Sequence, residues 1–110
     1  MVEVRYRPVS ATRAAELSIQ GHAGAGRPGE DLVCAAVSAL AETLRIAFQG
    51  KGGGGVSVYV GPGDARFEMG AEAGPEARVA LETIVGGLED LARSHRRFVR
   101  FTVERSGKEG

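Results

Sequence analysis

Two side chains in this 110-residue sequence stand apart for the chemistry they could do. Cys34 is its only cysteine, and His22, one of two histidines, lies twelve positions earlier. A thiolate attacks carbonyl carbon readily. An imidazole can take the thiol proton and later return one to a departing amine. Between them runs GHAGAGRPGEDLVC, residues 21–34, whose glycines leave the backbone free to fold back or move aside. Ala23, Gly24, Gly26 and Gly29 therefore read as a mobile gate with Gly21 and His22 at one end and Cys34 at the other. Ser38 follows the thiol by one helical turn on the same side. A helix N-terminus near Cys34 favours the thiolate, whereas the carboxylate of Asp31 opposes it unless it caps the helix or orients the histidine. A lone cysteine in a helix also serves often as a small hydrophobe, so spacing alone leaves a structural thiol open. His95, in SHRR, is the competing partner; its simpler role is favourable charge at a helix C-terminus.

The glycines suggest another chemistry, which fails on context. Gly24, Gly26 and Gly29 satisfy G-x-G-x-x-G, but the surrounding pattern is of hairpins rather than a doubly wound sheet. Pro28 removes an N–H donor, and Glu30 and Asp31 put negative charge where a pyrophosphate would sit. GKGGGG, residues 50–55, lacks the Ser or Thr that follows the lysine of a phosphate-binding loop. No cofactor and no metal are expected.

The elements that must position His22 and Cys34 are legible from periodicity. Val2, Val4 and Tyr6 alternate with Glu3, Arg5 and Arg7, as a half-buried strand requires. A second strand over 15–21 carries Leu17 and Ile19 on one side and completes an N-terminal hairpin. A helix over 31–49 has the apolar stripe Val33, Val37, Leu40, Leu44 and Ala47. Ala35, Ala39 and Ile46 extend apolar character around it and predict burial on more than one face. Cys34, Ser38, Ala41 and Arg45 run along one edge of the stripe, so the thiol need not enter the core. VSVYV (56–60), the GPGD turn and 65–69 form a second hairpin. A second helix opens at Pro75 and Glu76, both suited to a first turn, with core stripe Leu81, Ile84, Val85, Leu88, Leu91 and Ala92. Gly86 and Gly87 within it predict close packing against the sheet or the first helix. RFVRFTVE, residues 97–104, closes the chain as a strand. The order β-β-α-β-β-α-β is an α+β fold: one domain, a mainly antiparallel sheet with two helices packed on one face.

Bulk composition narrows the function. Fourteen Lys and Arg balance fourteen Asp and Glu, which is not the footprint of a protein that neutralises many phosphates. Direct nucleic-acid binding is not expected. A single cysteine excludes an internal disulfide framework. No apolar run reads as long enough to span a bilayer, and MVEVRYRPVS lacks the apolar core of a signal peptide. A reducing, cytoplasmic setting is expected, without membrane partners.

The assembled segments, Gly21-His22 followed by Asp31, Leu32, Val33, Cys34, Ala35, Ala36 and Ser38, resemble the signature of the ribosomal-processing cysteine protease family Prp (YsxB-like). That family carries Gly-His near the end of its second strand, then a glycine-rich mobile loop, then D-[IL]-V-C-A-[AG]-x-S opening the first helix. Chain length and element order match as well. The resemblance implies a bacterial endopeptidase that removes the N-terminal extension of a large-subunit ribosomal protein after a hydrophobic, aromatic-containing segment, for ribosome assembly. It implies Cys34 as nucleophile and His22 as general base and acid. Asp31, Ser38 and Gly21 take supporting positions, and a homodimer is implied. The rival reading is a non-catalytic, ribosome-associated module that holds a peptide in the same groove.

Overall fold

A computed structural model of the chain describes residues 1–21, 30–51 and 54–104, and of residues 30, 31 and 51 the backbone alone. The elements are β1 (Val2–Arg7), β2 (Ala15–Gln20), α1 (Glu30–Lys51), β3 (Val56–Gly61), β4 (Asp64–Met69), α2 (Pro75–Ser94) and β5 (Val99–Val103). The predicted order holds throughout. The five strands form one sheet in the order β3-β4-β2-β1-β5. Three neighbouring pairs are antiparallel, and β1 with β5 is parallel. That parallel pair follows from the α2 crossover, which returns the chain to the opposite side of the sheet from β4.

Strand alternation decides which face is covered. The register aligns Val4 with Ile19, Leu17 with Phe67, Ile19 with Ala65, and Val2 with Val99, so the apolar residues of every strand fall on one face. The core lies between this face and the two helices. The opposite face carries Glu3, Arg5, Glu16, Ser18, Arg66 and Arg100. Arg7 bridges Glu16 at 3.0 Å, and Arg100 reaches Glu3 at 3.5 Å. Glu3 and Arg100 remain solvated, so that pair contributes little, whereas the Arg7 side chain is largely buried and also donates from Nη2 to the Ala14 carbonyl at 3.2 Å.

The helices refine the predicted stripes. α1 buries Val33, Val37, Ala41, Leu44 and Phe48, spaced by three and four residues. Phe48 meets Phe67 edge-on, with ring centroids 6.0 Å apart, and fastens the C-terminal half of α1 to β4. Phe48 was absent from the expected stripe, and Leu40 and Ala47 are only half-buried. The predicted burial on a second face does not occur: Ala35 and Ala39 are exposed, and Ile46 is 61% exposed. Three small or aliphatic side chains raise the apolar count of a helix without demanding a partner. On α2 the predicted stripe is buried apart from the half-buried Leu91, and Ala77 joins it. A Cβ at Gly87 would stand 3.4 Å from Leu40, so this glycine marks the crossing with α1. Gly86 faces open space, and nothing in the structure accounts for it.

One expectation is amended. Leu32–Gly50 is long and apolar enough to cross a bilayer by length and composition. The same segment is most of α1, with one face packed into the core and with Glu42 and Arg45 pairing at 2.8 Å partway along it.

Candidate active site

α1 begins at Glu30, one residue earlier than periodicity suggested, so Cys34 is its fifth residue. The α-helical ladder then takes the Cys34 N–H to the Glu30 carbonyl, which leaves the unladdered donors to the first turn. That places any oxyanion donors from this helix before the cysteine rather than at it.

Cys34 is half-buried and lines a cleft of about 170 Å³. The floor is the core itself: Val2, Ile19, Val37, Ala41 and Ala65. One wall is a line along α1, Cys34, Ser38 and Glu42, spaced four residues apart so that each stacks above the last. The other wall is the β3–β4 hairpin, with Val60, Gly61, Gly63 and Asp64. Ser38 is exposed, as its place on the edge of the stripe predicts, whereas Ala41 turns into the core.

Gly21 closes the end of the cleft, and here a glycine is required. Its φ is +109°, and a Cβ would collide with the backbone carbonyl of Met1. Its N–H donates to the Gly63 carbonyl at 3.0 Å, tying the end of β2 to the hairpin turn. The sequence therefore delivers the residue after β2 to the cleft that holds the thiol. His22, Ala23, Gly24, Gly26 and Gly29 lie outside the described residues, as does the side chain of Asp31. His95 belongs elsewhere: it is exposed, ends α2, donates its N–H to Leu91 at 2.8 Å, and does not line the cleft.

The hairpin wall and Glu42 are the parts that sequence reasoning missed. GPGD announces a turn but not its neighbour. The neighbour is set by pairing of β4 with β2, which puts Asp64 opposite Gln20 and the turn beside Gly21. Asp64 itself points to the open face, where it accepts from Gln20 Nε2 at 3.4 Å and from Arg66 Nε at 3.3 Å. The site thus combines a half-buried thiol, an apolar floor and a groove open at the surface.

Comparisons with known proteins bear on the fold and the family. No curated protein sequence matches the chain. Among solved structures, the ribosomal processing protease Prp of S. aureus with a covalently linked product peptide superposes with a TM-score of 0.78 at 21% identity, over 94% of this chain and 100% of that one. The same protease with a substrate peptide gives 0.79 at 20% identity, over 94% and 100%. SMU.848 from Streptococcus mutans gives 0.70 at 20%, over 96% of each chain. At these identities the likeness establishes the fold. The profile of the cysteine protease Prp family matches residues 1–100. The chain belongs to the Prp family and is a cysteine protease.

Proposed function

We propose that the chain is a Cys–His endopeptidase that removes the N-terminal extension of a large-subunit ribosomal protein during ribosome assembly. The observation that carries this is the cleft: Cys34 lines it, and Gly21, the residue before His22, closes its end. The Cys34 thiolate attacks the scissile carbonyl carbon to form a tetrahedral intermediate. His22, having taken the thiol proton, gives it to the departing amine as the C–N bond breaks. Water then hydrolyses the thioester, with His22 as base, and frees the extension with a new carboxylate. Ser38 stands one turn from the thiol and Asp31 near the helix start, where they support this geometry. The S. aureus structures, which carry a substrate peptide and a covalently linked product, support a peptide in this cleft. The enzyme works in the bacterial cytoplasm, as a homodimer, without a cofactor.

The test is incubation of the purified chain with the precursor form of the ribosomal protein, read by mass spectrometry. Removal of the extension by the native chain, and its loss in His22→Ala with unchanged circular dichroism, is the expected result. Full processing by folded His22→Ala overturns the assignment of the base.

A further inference from the structure

The sheet has two edges, and they differ. β5 carries Arg100, forms the edge opposite β3 and contributes no residue to the cleft. β3 is VSVYVG, without charge or proline, and it pairs with β4 through six consecutive residues without a bulge. Edge strands are ordinarily blunted by such devices, because a row of unpaired N–H and C=O groups invites another strand.

The register fixes which groups are unpaired. Gly61 and Asp64 flank the two-residue turn, and the Gly70 N–H donates to the Gly55 carbonyl at 2.8 Å. The ladder bonds therefore belong to Gly61–Asp64, Tyr59–Arg66 and Ser57–Glu68. The N–H and C=O groups of Val56, Val58 and Val60 point away from β4, and no described residue pairs with them. Their side chains are half-buried on the helix side of the sheet. The strand then runs into Val60 and Gly61, which line the cleft with Cys34.

We propose that the substrate adds to the outer edge of β3 as a sixth strand and runs off its Gly61 end into the cleft, where Cys34 meets the scissile bond. This rests on the protease reading and names the substrate class: an extended segment of about six residues, ~20 Å long, that alternates apolar and polar side chains. The apolar set joins the row Val56, Val58 and Val60, and the polar set faces solvent beside Ser57 and Tyr59. Main-chain bonds supply affinity, and alternate side chains supply selectivity. The continuity of an unprotected edge with the nucleophile's own cleft assigns it to substrate.

The probe is a fluorescein-labelled dodecapeptide in which six alternating Leu and Gln residues lead into a Phe-containing hydrophobic stretch. Backbone N-methyl groups are placed within the alternating part, at odd or at even positions. Strand addition uses every second N–H of the peptide. One parity of methylation should therefore weaken binding to the native chain at least tenfold, by fluorescence anisotropy, and the other less than twofold. Equal effects at both parities, or none, overturn the proposal. Val58→Pro removes an outward donor and no ladder bond, and should likewise weaken binding about tenfold. The methylated peptides act on unaltered protein, so a variant that fails to fold does not spare the proposal. Binding with the parity pattern but without cleavage overturns the protease reading and keeps the docking edge. Cleavage indifferent to parity does the reverse. Self-association that the peptide does not displace gives the edge to a second copy and overturns the proposal.

Discussion

The two helices lie on the same face of the same sheet, yet they are built to different rules. α2 carries nearly all of its signals locally: Pro75 at its start, Glu76 in its first turn, Arg93 in its last, and six side chains buried along one stripe. α1 buries five of its described side chains, leaves Leu32 76% exposed, and sets Cys34, Ser38 and Glu42 along an open cleft. A helix that serves packing alone can use its whole apolar content. A helix that also lines a cleft must leave one edge unsealed, and its stripe narrows accordingly.

The sharpest test of that division is Cys34→Ala. It should lower kcat/KM for the peptide by about 10⁴-fold while leaving the melting temperature nearly unchanged, since the thiol is not a core residue. Leu88→Ala on α2 should do the opposite. Its side chain is fully buried, so truncation should cost about 3–4 kcal/mol, seen as a lower urea midpoint, with activity of the folded fraction retained. A Cys34→Ala protein that unfolds, or a Leu88→Ala protein that is stable and inactive, would break the comparison. Gly21→Ala should show both effects, because it strains the backbone and shifts the residue before His22. A loss of about 1–3 kcal/mol and a parallel fall in cleavage are expected. Ile46→Gln on the exposed side of α1 should stay within about 0.5 kcal/mol of the native chain.

A pH experiment sharpens the account of α2. Tyr6, on the core face of β1, has its phenol pKa raised by burial first and by Glu82 of α2 second, against a lowering by Arg78. The folded state therefore holds the phenol proton more tightly than the unfolded chain. Stability that is full below about pH 10 should decline as pH rises through the folded value. Tyr6→Phe should flatten that alkaline limb of the denaturation profile.

Much of this was legible in the residues because the signals are local. Strand alternation in Val2–Arg7 and VSVYV, the GPGD turn and Pro75 each fix their element without outside help. What was not legible depends on neighbours distant in sequence. The parallel partnership of β1 with β5 and the hairpin wall of the cleft follow from strand order, which no short window contains. Phe48 was passed over because its burial is completed by Phe67, nineteen residues further along the chain. Ala35, Ala39 and Ile46 were expected inside because a helical wheel counts apolarity but not the number of partners available. For the site, Cys34 and Ser38 were placed correctly on the edge of α1. Gly21 gained a reason that spacing did not supply: the carbonyl of Met1 sits where any side chain would be.

The bare edge of β3 also bears on how the protein is handled. A strand of alternating valines with no charge to repel its like is a template for any extended chain, including a second copy of itself. At high concentration and without peptide, β3 is where insoluble material should begin. Adding a short alternating peptide should lengthen the storage life of the preparation. Replacing Ser57 with lysine, on the solvated side of the same strand, should achieve this without altering the cleft.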